Sequence, residues 1–208
     1  MLELDELLAR PGLAVEERLL VAAKAAIWPA DWATLSAVVG RAQERGVPRA
    51  RIDEVLLQSV LFFGFPRAIS AFETVTAAWP RDETVDGGSL PPEQQAHAGR
   101  ELFAAIYANN TETVLAMLRG FHGELCGFVL EAAYGRILTR PGLPPRTREL
   151  LAVGALAVMN QVPQLVAHGR GAIALGASRL EVQEAVLTAT RDESRARELL
   201  RRLRAPND

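Results

Sequence analysis

Apolar residues recur along this chain at the spacing of an α-helix. The clearest run, residues 150–157, reads Leu-Leu-Ala-Val-Gly-Ala-Leu-Ala, and similar runs between turn-forming residues fill most of the sequence. No segment shows sustained alternation of apolar and polar residues, which is typical of a strand with one buried face. The pattern therefore predicts an all-α protein.

The same pattern occurs twice, at a constant offset. Arg10-Pro11-Gly12-Leu13 returns as Arg140-Pro141-Gly142-Leu143, 130 residues later, and the match continues without a gap to about residue 57 over residue 187. Self-similarity of this length at a fixed offset indicates an internal duplication. We predict two diverged copies of one helical unit, residues 1–79 and 99–208, joined by a linker at 80–98.

Each copy is predicted to fold into three helices in the same order. The first two helices of each copy are expected at 15–28 and 32–45, and at 145–160 and 164–175, with breaks at Pro29 and Pro163. Gly46 and Gly176 stand where a C-terminal cap belongs. Ser178 and Glu181 form a capping-box pattern that opens the third helix of the second copy.

The remaining segments predict helices outside the matched part. The sequence Gly64-Phe65-Pro66 separates the long third helix of the first copy from a further helix at 67–79. Residues 93–135 predict two more helices, and the charged run 191–204 predicts a terminal helix with solvated side chains.

Composition narrows the function classes. The 208 residues carry a formal net charge of −2 and are 49% hydrophobic, so neither nucleic acid nor an anionic membrane is an expected partner. An acidic N-terminus and apolar runs shorter than about 20 residues predict neither a signal peptide nor a membrane span. The single cysteine, Cys126, leaves no two-thiol redox centre and suits the cytoplasm. We attribute the single lysine, Lys24, to genome composition rather than to function.

Two positions in the second copy combine polar side chains with core-type surroundings. His168 lies inside a predicted helix where the first copy has Val38, and Glu149 replaces Leu19 near the start of another helix. The unit therefore folds without either polar side chain. A carboxylate can orient an imidazole and raise its pKa while the imidazole moves a proton, so the pair is a candidate acid/base device. The alternative is that Glu149 only favours the positive end of its helix.

Several other residues near this pair invite a choice between structure and function. Two glycines after His168 weaken a helix, so a ligand or a neighbouring helix should approach that backbone closely. Arg146 and Arg170 are candidates to bind a substrate carboxylate, whereas Arg148 has a counterpart in Arg18, which points to a structural ion pair. Solvent exposure is expected for His97, and a capping or packing role for His122.

These motifs resemble those of the carboxymuconolactone decarboxylase family, which includes the alkylhydroperoxidase D-like proteins. The resemblance is carried by Tyr134-Gly135 through Leu143, by Arg146-Thr147-Arg148-Glu149-Leu150, by Gln164 to Ala172, and by Phe63-Gly64-Phe65-Pro66 in the first copy. It implies an alkylhydroperoxidase D-like helical bundle that assembles into trimers or hexamers. A two-unit chain then suggests a trimer that imitates the hexamer.

The resemblance also implies a chemistry. In the hydroperoxidase branch a Cys-x-x-Cys carries the reaction, but Gln161 and Gln164 occupy those places here, and amides form neither thiolates nor disulfides. The decarboxylase branch keeps Glu and His and needs no cofactor or metal, which assigns catalysis to Glu149 and His168. Gln161, Gln164 and Phe63 are then expected to line the substrate site, although the family usually has Tyr where Phe63 stands.

Three functions remain open from the sequence. The first is a cofactor-free decarboxylase acting on a small carboxylated lactone. The second is a thiol peroxidase-like protein, which would have to rely on Cys126 alone. The third is an oligomeric ligand-binding protein without activity, which a wide separation between Glu149 and His168 would favour.

Overall fold

Helices fill the part of the chain that the structure, a computed structural model, describes: residues 1–80 and 88–204. Within those residues no strand occurs, so the all-α prediction is confirmed. The first half consists of α1 to α4, and the second half of α5 to α11 with a π-helical segment before α8. Their bounds are α1 Leu4–Ala9, α2 Val15–Ile27, α3 Trp32–Glu44, α4 Arg49–Ala78, α5 Pro92–Tyr107, α6 Thr111–Phe121, α7 Gly123–Phe128, the π-helical segment Val129–Leu138, α8 Pro145–Val158, α9 Val162–Ala174, α10 Arg179–Thr190 and α11 Glu193–Arg204.

The helices of the two halves begin and end at matching positions. The helix α2 corresponds to α8, α3 to α9, and the start of α4 to α10, all at the offset of 130 residues seen in the sequence. Gly46 and Gly176 both adopt positive φ, 72° and 97°, as their capping role predicts. The Ser178–Glu181 capping box forms as predicted, with both reciprocal hydrogen bonds present.

The break between the first two helices includes Pro29 in the first copy, as predicted, but lies before Pro163 in the second copy. Ala30 and Asn160, which occupy equivalent positions, have φ of 59° and 57° and turn the chain there. Pro163 is not the break that the sequence analysis expected, because it lies in the first turn of α9. Proline is tolerated there since the first amides of a helix have no intrahelical acceptor.

The two halves are tied together by reciprocal ion pairs. Arg18 on α2 contacts Glu184 on α10 at 2.9 Å, and Arg148 on α8 contacts Glu54 on α4 at 2.7 Å. Each of the four residues is the offset partner of the corresponding residue in the other pair. The arginine side chains are 0% and 1% exposed, so removing either carboxylate would leave a buried cation unpaired.

The long helix α4 is bent at its centre. Gly64 has φ of 75° and ψ of 171°, outside the helical region, so the chain changes direction at the predicted Gly-Phe-Pro break. By length and composition alone, Arg49–Ala78 would be long enough to cross a membrane, with a mean hydropathy of 1.5 in its most apolar stretch. The sequence predicted no membrane span here. Core side chains of α4, among them Ile52 and Leu56, are fully buried against neighbouring helices.

The segment between the copies contains more helices than predicted. Part of the predicted linker, residues 81–87, lies outside the described residues, and α5 begins at Pro92, inside the predicted linker. Instead of two helices over 93–135, the chain forms α5, a 3-10 turn, α6, α7 and the π-helical segment. His122 separates α6 from α7 and its Nδ1 accepts a hydrogen bond from the backbone of Glu124, which confirms its predicted capping role.

The helix α5 packs directly on the π-helical segment. A Cβ on Gly99 would lie 2.8 Å from the backbone nitrogen of Gly135, so the two backbones can approach this closely only because both residues are glycine. The contact brings Phe103 and Ile106 of α5 against Tyr134 in a second, smaller core. This core lies against α9, where His168 stands.

Candidate functional site

The helices α8 and α9 bring Glu149 and His168 together. The imidazole Nδ1 lies 2.8 Å from the carboxylate Oε2, and the two side chains are 14% and 1% exposed. The pair is buried because neighbouring helices cover α8 on nearly all sides. A hydrogen bond between ionised groups in such surroundings is strong and fixes the orientation of the ring.

Gly171 makes room for this carboxylate. A Cβ at this position would lie 2.8 Å from Glu149 Oε2 and 2.7 Å from Ile106 Cγ2. The sequence analysis expected a close approach to the α9 backbone from either a ligand or a neighbouring helix. The group that approaches is the side chain of the candidate site itself, together with an aliphatic side chain of α5.

The charge of Glu149 sets the protonation of His168. Burial alone would lower the pKa of the imidazole, but the negative charge and the hydrogen bond of Glu149 together outweigh it, so the pKa of His168 is raised above its usual value. This shift favours the imidazolium form of His168. Such an imidazolium can donate a proton as a general acid.

Phe62 of α4, rather than Phe63, faces the pair. The ring of Phe62 meets the imidazole of His168 edge-on at a centroid distance of 6.2 Å. Phe63, which was predicted to line the substrate site, is buried and packs on Trp28 at 5.8 Å and on Phe62 at 6.4 Å. Successive helical residues point about 100° apart, so a shift of one residue moves the side chain to another face.

Lys24 of α2 also contacts Phe62. Its side chain is fully buried, and Nζ lies 4.3 Å from the centroid of the Phe62 ring. Burial lowers the pKa of Lys24 well below its usual value, the charge of Arg148 adds to this, and the charge of Glu149 opposes it. Genome composition, to which the sequence analysis attributed this lysine, does not account for its buried position next to Phe62. The available signal was a single lysine within the apolar run Val-Ala-Ala-Lys-Ala-Ala-Ile.

Two tyrosines border the same region. The hydroxyl oxygens of Tyr107 and Tyr134 lie 3.4 Å apart. Burial raises the pKa of Tyr134 well above its usual value, and the charges of Tyr107 and Glu149 act in the same direction. Burial likewise raises the pKa of Tyr107, with Glu149 contributing. Both phenols therefore stay protonated within the electrostatic reach of Glu149, where they can donate hydrogen bonds.

Arg146 and Arg148 both form ion pairs within the protein. Arg146, which was predicted to bind a substrate carboxylate, forms ion pairs with Glu17 and Glu181 of the protein itself. Surface cations near the start of a helix pair with whichever carboxylates lie close, and here two do. Arg148 forms the structural ion pair that its counterpart in the other copy predicts.

A cavity lies between α5 and α9, and its lining does not include His168 or Glu149. It has a volume of about 420 Å³, and its lining includes Ala167 and Arg170 of α9 and Ile106 and Tyr107 of α5. Arg170 thus remains next to a space that a small molecule could occupy. Gln161 and Gln164 are exposed, at the N-cap and in the first turn of α9. His97 is exposed and pairs with Glu101 at 3.3 Å, as its predicted surface position implies.

Comparison with known proteins shows which family this region resembles. A family model described as the carboxymuconolactone decarboxylase family matches residues 128–204, which contain Glu149 and His168. The chain is 27% identical over 146 residues to peroxisomal protein 2 of Schizosaccharomyces pombe, covering 65% of each protein. It is 27% identical over 96 residues to 4-carboxymuconolactone decarboxylase of Acinetobacter baylyi, covering 46% of this chain and 72% of the relative.

A third relative is more similar over a shorter stretch. The chain is 41% identical over 61 residues to the nitrosuccinic acid decarboxylase of Metarhizium robertsii, covering 29% of this chain and 43% of the relative. The match therefore spans less than two thirds of the length of this relative and of the yeast protein.

Proposed function

Since this chain belongs to the carboxymuconolactone decarboxylase family, we propose that it catalyses the cofactor-free decarboxylation of a small carboxylic acid. A carboxylated lactone is the first candidate substrate. The observation that carries this proposal is the buried contact of 2.8 Å between His168 and Glu149.

The pair supports a defined sequence of events. The bond between the substrate carbon and its carboxylate breaks, carbon dioxide leaves, and the bonding electrons move into the adjacent electron-withdrawing group. The imidazolium of His168 then protonates the carbon, and Glu149 stabilises the charged ring before that transfer. His168 recovers its proton from solvent, so no oxidant, reductant or cofactor is required.

The two relatives with decarboxylase names support the same substrate class. One is named for 4-carboxymuconolactone and the other for nitrosuccinic acid. Both molecules place a carboxylate where an unsaturated lactone or a nitro group can accept the electrons that it releases. A small acid with an electron-withdrawing group close to its carboxylate is therefore the chemistry we propose for this site.

The thiol peroxidase alternative has less support. Cys126, the one cysteine of the chain, is buried in the second core at 4% exposure. A reactive thiol needs an accessible position that stabilises its thiolate. A ligand-binding protein without activity remains the second alternative, but the close contact between Glu149 and His168 removes the separation that would have favoured it.

Carbon dioxide release tests the proposal. Wild type, His168→Ala and Glu149→Gln should be assayed against 4-carboxymuconolactone and nitrosuccinate, with His97→Ala as the matched control at an exposed histidine. We expect His168→Ala and Glu149→Gln to lose roughly 10²- to 10⁴-fold in turnover, the usual contribution of a general acid, while His97→Ala keeps wild-type turnover. Wild-type turnover in a folded His168→Ala variant would overturn the assignment.

Oligomerisation and location belong to the same proposal. We propose a homotrimer or hexamer in the cytoplasm, supported by large apolar side chains that the single chain exposes: Phe65, Ile69, Phe121 and Phe128 at 56% to 70%. Exposed apolar groups of this size are typical of surfaces that a partner covers. Light scattering on the purified protein tests the assembly, and a monomer at micromolar concentration would contradict it.

A further inference from the structure

Lys24 has no place in the chemistry described so far, although its position is unusual. Its side chain is fully buried, and among the residues that the structure describes no group forms a hydrogen bond with Nζ. A buried amine without a partner destabilises a fold, because it loses its hydration and gains nothing in return. The second copy has Gly154 at the equivalent position, so the helical unit does not need a lysine there.

The amine lies within the candidate site. The Phe62 ring that covers Nζ also meets the imidazole of His168, so the two groups share one aromatic wall. Lys24 also acts on the site electrostatically: its charge counteracts the effect of Glu149 on the pKa of His168, although burial of the imidazole is the largest influence. Glu149 in turn favours the charged form of the amine.

We propose that Lys24 Nζ is a further catalytic group of this site, which binds the oxygen that becomes negative when the substrate loses carbon dioxide. The inference rests on the proposed decarboxylation and makes its substrate class more specific. The substrate is a small acid in which a carbonyl or nitro group is attached, directly or through a conjugated double bond, to the carbon that carries the leaving carboxylate.

Charge movement explains why the amine should bind that oxygen rather than the leaving carboxylate. In the ground state the negative charge lies on the carboxylate, and in the transition state it moves to the carbonyl or nitro oxygen. A donor placed at the carboxylate would stabilise the ground state and slow the reaction. A donor placed at the accepting oxygen stabilises only the developing charge, which accelerates the reaction.

The surroundings of Nζ suit this role. A neutral amine can donate an N–H to the developing oxyanion, and as the negative charge grows the amine takes up a proton from solvent, which it returns when the product leaves. The face of the Phe62 ring, 4.3 Å away, stabilises the ammonium form once it is produced. The step balances, because the carbon–carboxylate bond supplies the electron pair, His168 supplies the proton to carbon, and carbon dioxide is the only group to leave.

Kinetics on two matched four-carbon dicarboxylates test the role. In oxaloacetate a ketone accepts the electrons, and in nitrosuccinate the stronger nitro group does. For Lys24→Met we expect turnover to fall about 10²- to 10³-fold on oxaloacetate, as when an oxyanion donor is removed. The fall on nitrosuccinate should be smaller, because a nitro group by itself stabilises the developing negative charge better than a ketone does. The KM for both substrates should change little.

Thermal stability separates this role from a structural one. Lys24→Met replaces the buried amine by an apolar chain of similar length, so we expect an unchanged or higher Tm together with the loss of turnover. A lower Tm with turnover intact, or equal losses on both substrates, would overturn the proposal.

A measurement on the amine itself needs no turnover. Because Lys24 is the single lysine of the chain, protein made with lysine labelled at Cε with ¹³C gives one side-chain resonance that reports the charge of the amine. Addition of 3-nitropropanoate as its nitronate, which carries the oxygens that the reaction would make negative, should move that resonance towards the ammonium value. Titration of His168→Ala should still move it.

The outcomes keep the two proposals apart. A lysine resonance that the nitronate does not move, in wild type or in His168→Ala, would overturn the role of Lys24 whatever the protein decarboxylates. Equal carbon dioxide release by wild type and His168→Ala would instead overturn the proposed function, and the lysine resonance does not depend on that result.

Discussion

Equivalent helical positions carry an acid/base pair in one half of the molecule and two aliphatic side chains in the other. Glu149 and His168 occupy the positions of Leu19 and Val38, which are 0% and 1% exposed. Val38 lines a cavity of about 440 Å³ bordered by α1, α2 and the end of α10. The fold is therefore compatible with either pair, so folding alone does not account for the polar one.

The comparison also shows what the two halves share. The reciprocal pairs Arg18–Glu184 and Arg148–Glu54 are buried in both halves and bind one half to the other. These charges are equally necessary on both sides, because each arginine also hydrogen-bonds a backbone carbonyl of the Arg-Pro turn in its own copy. Polar groups that recur in both copies are structural, whereas those confined to one copy are candidates for function.

The largest expected effect comes from placing the carboxylate alone in the first copy. Leu19→Glu buries a negative charge beside Val38, where no imidazole can pair with it. We expect this variant to lose about 3–5 kcal/mol in the free energy of unfolding, the usual effect of an unpaired buried charge. Urea denaturation at neutral pH measures the loss.

The double variant Leu19→Glu/Val38→His is the control for that prediction. It supplies the imidazole at the position equivalent to His168, so it should recover part of the lost stability. A single variant as stable as wild type would show that the first copy admits water at this position, and the contrast between the halves would then not rest on burial.

A smaller effect is expected from closing the space that Glu149 occupies. The methyl group of Gly171→Ala would overlap Ile106 and the carboxylate of Glu149. We expect a loss of about 1–3 kcal/mol in the free energy of unfolding, as for other overpacked sites. The displaced carboxylate should also lower turnover.

Gly40→Ala is the matched control in the first copy. Gly40 also lies inside a helix, but a Cβ there would have no neighbour within 4 Å among the described residues. We expect this variant to gain up to about 1 kcal/mol, because alanine is the better helix former. Equal responses of the two glycines would mean that the contact between Gly171 and Glu149 has no energetic importance.

The sequence predicted the parts of this site that depend on local pattern. Helix positions followed from apolar spacing, and Glu149 and His168 were identified because polar side chains replace aliphatic ones between two copies. The contributions of Phe62 and Lys24 depend on how α4 and α2 lie across α8 and α9, which no periodicity encodes. The sequence predicted Phe63 for the site, whereas Phe62 is the ring that contacts His168, since only packing decides which of two adjacent rings faces the imidazole.

Packing also decides which groups the arginines contact. Arg146 and Arg170 were both expected to bind a substrate carboxylate because neither has an arginine counterpart in the first copy. Whether a guanidinium meets a ligand or a protein carboxylate depends on the other helices nearby, and α2 and α10 supply Glu17 and Glu181 to Arg146. Arg170 lines the cavity beside Tyr107.

The smallest expected effect is a pH dependence that only the second copy should produce. Glu149 holds the pKa of His168 above the value of 6.5 expected for an exposed histidine, in spite of burial, which acts most strongly and in the opposite direction. The folded protein therefore binds this proton more tightly than the unfolded chain does. The resulting stabilisation is fully present below about pH 6.5 and is lost as the pH rises through the raised pKa.

The variant Glu149→Leu/His168→Val gives the second copy the aliphatic pair of the first and removes this titration. The free energy of unfolding of wild type minus that of the variant should therefore fall as the pH rises from about 6 to 9, by about 1.4 kcal/mol for each unit by which the folded pKa exceeds the unfolded one. Urea denaturation at several pH values measures the difference. A difference that grows with pH would mean that the imidazole is held neutral, and proton donation by His168 would then lose its basis.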